Sequence, residues 1–284
     1  MIDPSFLDEI GRLSLVVNRN VYSKYSGEHR SPASGGGTLF KEHRIYTPSD
    51  NFKAIDWKVY ARTDDLYVKL FEEERNLNVH ILIDSSKSMS MDDKFDFAGK
   101  IGLGFGYLAA KNNEKVNFSV FSDTLEMLKG AKGNKQVTSM LSALNQIKKK
   151  GNSKIYDSIQ RYKNIIHSKS YIVIISDFMM NIEEISEALH LLGKTHIIKL
   201  IQVLSKEEKE MKLEGDFKLI DSESEKKLRT YISKRAQKKY LENLKEHESK
   251  LNLLANEFPN TKFYQFSSDQ KIYDVMFKIT SGRF

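Results

Sequence analysis

The sequence predicts an α/β fold: a doubly wound, mostly parallel sheet flanked by helices, preceded by an N-terminal extension of helix, loop and β-rich segment. Three observations carry that prediction. Two apolar runs, at residues 79–83 and 171–175, have the length and β-branching of strands buried on both faces, and each ends in a polar, acidic stretch. From residue 78 onward, strand-like and helix-like segments alternate, the pattern of βαβ units. The helix-like segments repeat apolar residues every three or four positions, which marks helices lying on a core.

The elements follow in order. Residues 4–18 read as a short helix, with Asp3 placed to cap it, Pro4 in the first turn, and Phe6, Ile10 and Leu13 on one face. Residues 22–37, closing on Gly35, Gly36 and Gly37, read as a polar linker. A phosphate loop would need Gly-Lys-Ser/Thr and a preceding strand. Residues 38–75 are dense in charge and aromatics and are expected to be β-rich from Phe40 to Arg62, with a strand at 66–71. Trp57, the sole tryptophan, is expected to pack on the sheet, with Asp56 and Arg62 paired internally. Residues 1–75 thus form the extension and 76–284 the main domain.

In the main domain, strands are expected at 116–121, 171–176, 196–204 and 262–266, and helices at 94–110, 137–149, 155–166, 183–192, 224–257 and 272–279. The first helix carries Phe95, Ala98, Ile101, Phe105 and Leu108 on one stripe. Its glycines at 99, 102, 104 and 106 lie well after the strand, so they indicate close helix packing rather than a dinucleotide loop. The long helix carries Tyr240, Leu244, Leu251, Leu254 and Phe258 on its stripe.

Composition narrows the function classes. The chain has 284 residues, 40% hydrophobic and 29% charged, enough for one large domain with an extension. No run reaches the ~18 apolar residues of a membrane span. The first residues carry acids and no basic start, unlike a signal peptide. Cysteine is absent, which removes disulfides and thiolate chemistry and fits a cytoplasmic protein. The net charge of +7 raises the question of nucleic acid. Lysines interspersed with acids, as in Ser205-Lys-Glu-Glu-Lys-Glu210, read instead as a solvated helix face, and nucleic-acid binding is not expected.

The most informative segment is the strand that ends in Asp84-x-Ser86-x-Ser88. At the carboxyl end of a strand in an open α/β sheet, these residues would present one carboxylate and two hydroxyls to a single crevice. Hard oxygen ligands without nitrogen or sulfur suit Mg²⁺, with Mn²⁺ or Ca²⁺ as alternatives. Asp and Ser after a strand also serve as simple caps and turns, and that plainer role competes. Two further segments accompany the motif: Gly151-Asn152-Ser153, a polar loop opening a helix, and the second apolar run, which ends at Ser176-Asp177.

The motif resembles the metal-ion-dependent adhesion site of von Willebrand factor A domains. Such domains supply ligands from Asp-x-Ser-x-Ser, then a Thr, then an Asp. By that resemblance the ligand set is Asp84, Ser86, Ser88, Ser153 in the place of the Thr, and Asp177. The resemblance extends over nearly the whole chain. Phe40-x-Glu42-x-Arg44-x-Tyr46-x-Pro48-x-Asp50, Ile55-Asp56-Trp57-Lys58-x-x-Ala61-Arg62, Asp84-x-Ser86-x-Ser88-Met89, Ser176-Asp177-Phe178 and Leu219-Ile-Asp221-Ser-Glu223 together resemble the bacterial domain-of-unknown-function family 58. The chain departs from that family's pattern at Ser49 (usually Gly), Lys53 (usually Arg) and Ser153 (usually Thr).

That resemblance implies a non-enzymatic, metal-dependent protein-binding module. It also implies a MoxR-type AAA+ ATPase, or its client, as partner. A Mg²⁺-dependent phosphohydrolase is the enzymatic alternative. A phosphotransferase that uses an Asp after a buried strand needs a second acid two residues on, where this chain has Ser86. No Gly-x-Ser-x-Gly and no zinc-type histidine spacing occurs. A third alternative is a structural domain whose metal site is not functional.

Overall fold

The computed structural model describes residues 2–3, 5–6, 8–11, 39–48, 50, 52–72, 78–128, 135–220 and 227–281. The Gly-rich segment 22–37, Leu13, Ser49 and residues 221–223 lie outside them. The chain forms two compact units, one of Val16–Asn76 and one of Met1–Leu15 with Leu77–Phe284.

In the smaller unit, β1 (Leu39–Ile45) pairs antiparallel with β2 (Tyr67–Glu72), and α1 (Trp57–Thr63) lies between them in sequence. The Arg44-x-Tyr46-x-Pro48-x-Asp50 spacing resolves into a turn. The Asp50 carboxylate accepts from Thr47 N and Oγ1, both at 2.8 Å, and from the Arg44 guanidinium. Asp56 caps α1, accepting from Lys58 N at 3.1 Å, and its other oxygen lies 2.8 Å from His43 Nε2.

Two expectations are corrected here. The segment from Trp57 to Arg62 is helix, not strand, because the Asp56 cap outweighs its aromatic content. Trp57 is 49% exposed on a helix that buries none of its residues, with Phe52 and Tyr60 edge-on at 5.2 and 6.0 Å. Asp56 does not pair with Arg62. They sit at opposite ends of α1, roughly 9 Å apart along its axis at ~1.5 Å per residue.

The larger unit runs β3 (Asn78–Asp84), α2 (Lys94–Lys111), β4 (Lys115–Phe121), β5 (Leu125–Leu128), α3 (Lys135–Gln146), α4 (Ile155–Tyr162), β6 (Ser170–Ser176), α5 (Ile182–Leu192), β7 (Ile197–Leu204), α6 (Lys206–Glu210), β8 (Gly215–Ile220), β9 (Lys227–Ile232), α7 (Lys234–Glu257), β10 (Thr261–Ser267) and α8 (Ile272–Ser281). Six strands form the main sheet in the order β10-β7-β6-β3-β4-β5. All neighbours are parallel except β5, which runs antiparallel to β4. This is the predicted α/β fold, a mostly parallel sheet flanked by helices.

The central strands are buried on both faces. All of β7 is buried, and Ile81, Leu82, Ile83 and Ile172 to Ile175 expose no surface, which explains their unbroken apolar runs. Helix α2 lies close against this sheet. A Cβ at Gly106 would fall 2.6 Å from Phe118 Cζ, and one at Gly102 2.8 Å from Ile83 Cδ1, so these glycines serve close packing, as expected. The first residues belong to this unit. Ile2, Phe6 and Ile10 are buried, Asp3 accepts from Ser5 N at 3.0 Å, and Ile2 N donates to Asn145 Oδ1 at 2.8 Å.

The long helix starts later than its periodicity suggests. Ser233 caps it at Lys234, accepting from Ala236 N, and residues 227–232 are instead β9, in an antiparallel hairpin with β8. Within α7, only Leu251, Leu254 and Ala255 are buried; Tyr240 and Leu244 are half-buried. The short edge strand β5 was not anticipated.

Candidate functional site

The chain order defines where a site can form. After β3 the sheet grows through β4 to β5 on one side; β6, β7 and β10 then add on the other. The order reverses between β3 and β6, and ligands of open α/β sheets bind beyond the carboxyl ends of strands at such a switch point. Asp84 is the last residue of β3 and Asp177 directly follows β6.

Asp84 is fully buried and organises the site. Its Oδ2 accepts from Ser153 Oγ and Ser176 Oγ, both at 2.6 Å, and its Oδ1 accepts from Ser86 N at 2.8 Å. Burial, with Asp177 nearby, pushes its carboxyl up to about 6, against the pull of those three donors. Ser86 is buried, and its hydroxyl caps no helix; it lies 3.0 Å from Ser88 Oγ. That separation is the spacing of neighbouring ligands around an octahedral cation, since ~2.1 Å bonds at right angles put their oxygens ~3.0 Å apart. A buried carboxylate with no cationic partner among the described residues, two hydroxyls bonded to it and two more on the loop that follows make a donor set that fits a divalent metal. Among the described residues, no group of three or more His, Cys, Asp or Glu side chains comes together, so a cation here would depend on hydroxyls.

Ser153 is delivered by its loop. Gly151 sits at φ +74°, and a Cβ there would meet the Asp123 carboxyl at 2.6 Å, so the turn needs glycine. Lys87 N donates to Gly151 O and Lys150 N to Ser85 O, both at 3.0 Å, which ties this loop to the Asp84–Ser88 segment.

The structure gives Asp177 a different setting from the other four predicted residues. Its Oδ2 lies 3.1 Å from the Lys94 ammonium, and its Oδ1 accepts from Met179 N at 3.3 Å. Lys94 exposes no side-chain surface and also reaches Glu208 Oε1 at 2.8 Å. Burial alone would depress its pKa, but the two carboxylates outweigh that and hold it above the ordinary lysine value. Phe178, next in the chain, is buried at φ +48°, a strained conformation for a bulky residue. Three contacts impose it: Phe178 N donates to Ser176 Oγ, Gln202 Nε2 donates to Asp177 O, and His247 Nε2 lies 2.6 Å from Phe178 O.

Sequence reasoning quoted Ser176 only within a motif and gave Ser176, Lys94 and Glu208 no part in the site. Lys94 falls on the buried stripe of α2, in register with Ala98 and Ile101, and a lysine at the head of an apolar stripe was the available signal. Ser205-x-x-Glu208 has the spacing of a capping box and forms one, which turns Glu208 inward from a segment expected to be a solvated face.

A doubly wound sheet with Asp-x-Ser-x-Ser at the carboxyl end of a strand beside its switch point is the arrangement that the resemblance to von Willebrand factor A domains led one to expect. Residues 42–250 match the family described as "Protein of unknown function DUF58", and the chain belongs to that family. It is 23% identical over 230 residues to the uncharacterized protein Rv1480 of Mycobacterium tuberculosis H37Rv, covering 78% of this chain and 72% of that protein. It is 32% identical over 101 residues to the uncharacterized protein YeaD of Bacillus subtilis, covering 31% of this chain and 25% of that one. Among solved structures, it resembles the conserved hypothetical protein BatB of Bacteroides thetaiotaomicron at 13% identity and a TM-score of 0.43, covering 72% of this chain and 96% of that one. It also resembles proximal thread matrix protein 1 of the mussel byssus, solved with a zinc-occupied MIDAS motif, at 12% identity and a TM-score of 0.39, covering 72% and 44%. No described helix is long and apolar enough to cross a membrane.

Proposed function

We propose that this protein is a non-enzymatic, cytoplasmic protein-binding module. It captures a partner's carboxylate through a divalent cation, Mg²⁺ with Mn²⁺ or Ca²⁺ as alternatives, and works with a MoxR-type AAA+ ATPase or its client. The observation that carries this reading is Asp84: a buried carboxylate at the switch point, with no cationic partner among the described residues, that accepts from the hydroxyls of Ser153 and Ser176 and from Ser86 N, while the Ser86 and Ser88 hydroxyls pair on the loop that follows. Ser86 and Ser88 would ligate directly, with Asp84 and Ser153 beside them. Asp177, engaged by Lys94, would act from the outer shell. The cation supplies an open coordination position that favours an anionic oxygen.

The alternative phosphohydrolase reading lacks its general acid: Ser86 stands two residues after Asp84, and its hydroxyl contacts Ser88. The test is a pull-down of a MoxR-type ATPase by the purified protein, repeated with EDTA and with Asp84→Asn. Retention should require both the cation and Asp84. Retention indifferent to both would remove the cation site from the docking surface, and turnover of phosphate esters by the wild type, lost in Asp84→Asn, would favour the enzyme.

A further inference from the structure

We infer that the face around the cation site is a docking surface for an acidic, extended protein segment, which places one carboxylate on the cation and its neighbouring acids along a lysine rim. This rests on the cation reading above and names the partner's chemistry. In sequence the lysines look dispersed, but the fold gathers a group of them. Helix α3 ends at Gln146, three residues before its expected end, so Lys148, Lys149 and Lys150 stand on irregular chain after the helix. That chain is hydrogen-bonded to the site: Lys150 N to Ser85 O, Lys87 N to Gly151 O and Lys154 N to Ser122 O, each at 3.0 Å.

Lys148, Lys149, Lys150 and Lys154 are exposed, and none has an ion-pair partner among the described residues. Lys149 rests over the Phe95 ring at 5.2 Å, which fixes its stem beside the head of α2. Acids also stand near this loop: Asp123, which already faces Gly151 and accepts from Ser122 Oγ, Glu126 on the edge strand, Asp157 in the first turn of α4, and Glu184, which accepts from Tyr156 N at 3.3 Å.

A cleft of about 360 Å³ runs from Ser85 between β5 and the end of α3; its polar lining is Ser122, Thr124, Gln146, Lys148 and Lys150, with Glu126 as its one acid. A segment with one carboxylate at the cation would lay its next residues into this cleft. Concentrated like charge next to a low-dielectric crevice attracts oppositely charged ligands, and salt screens that attraction.

The test uses the full chain and a short fluorescein-labelled peptide of alternating Glu and Ser, read by fluorescence polarisation in Mg²⁺ or Mn²⁺. Binding should weaken with added salt and disappear in EDTA. The exposed triple reversal K148E/K150E/K154E should weaken it at least about tenfold, the joint effect of three surface charges, with divalent binding by calorimetry retained. If EDTA and Asp84→Asn abolish binding but the reversal leaves it intact, the cation reading stands and the lysine rim is overturned. If the reversal abolishes binding but EDTA does not, the cation is not part of the surface and the joint proposal fails. A labelled single-stranded oligonucleotide bound more tightly than the peptide, without need of metal, would overturn the assignment to an acidic protein segment.

Discussion

Replacing Lys94 with Met probes the buried charge beside the site. The ammonium exposes no surface and touches two carboxylates, at 3.1 Å on Asp177 and 2.8 Å on Glu208. At an effective dielectric constant of ~20, each contact attracts by roughly 5–6 kcal/mol. Desolvating the ammonium and both carboxylates cancels most of this, several kcal/mol per ion. Removing one partner from a buried ionic cluster typically costs ~3–5 kcal/mol, because the remaining charges lose their compensation. Lys94→Met should therefore lower unfolding stability by ~3–5 kcal/mol in urea titration in EDTA, with an unchanged m-value. Adding Glu208→Gln removes one orphaned carboxylate and should recover part of the loss, while Met fills the volume of the lysine stem. Because the variant leaves Asp177 uncompensated next to Asp84, Mn²⁺ should raise its melting temperature more than that of the wild type. A loss under ~1 kcal/mol, or no recovery in the double variant, would refute the view that Lys94 neutralises this corner of the site.

Three other predictions address the site, the core and the smaller unit. Asp84→Asn should lose divalent binding by calorimetry while melting in EDTA no lower than wild type. The folded carboxyl is raised from 3.8 to about 6, so its contribution to stability is present below 3.8 and lost as pH rises through 6; at neutral pH the buried charge costs up to ~3 kcal/mol. His80, buried in β3 with Nδ1 2.9 Å from Tyr162 OH, is depressed from 6.5 to about 4 by burial and by His196, so its neutral form stabilises the fold above 6.5 and that stability is lost as pH falls towards 4. Stability should drop by up to ~3 kcal/mol over that window, and the drop should shrink in His80→Leu; an identical pH profile would refute the assignment. Trp57, the sole tryptophan, should show red-shifted fluorescence readily quenched by iodide, and Trp57→Ala should cost ~1–2 kcal/mol from its edge contacts rather than the ~3–5 of a buried indole.

The sequence by itself determined the sheet. The runs leading to Asp84 and Asp177 are long and rich in β-branched and apolar residues on both faces, with His80 the exception inside the first, a pattern that a strand buried on both faces requires. The Asp-x-Ser-x-Ser motif follows one of those strands directly, so its place at the carboxyl end of β3 was legible. Local capping chemistry was also present in the sequence at Asp56 and Ser233, yet periodicity was given more weight there. An aromatic block was expected as strand and a hairpin strand as helix, because short amphipathic segments satisfy more than one period.

Tertiary structure alone decided which charges meet. Lys94 and Glu208 are 114 residues apart in sequence, and Ser176 and Asp84 are 92 apart. Their contacts exist because β3, β6 and β7 lie side by side and end on the same edge. Such pairings depend on strand order, which no local pattern encodes. Strand order also separated the roles of the two acids: among the described residues Asp84 takes its hydrogen bonds from two hydroxyls and a backbone N–H, whereas Asp177 meets an ammonium that α2 carries down into the core.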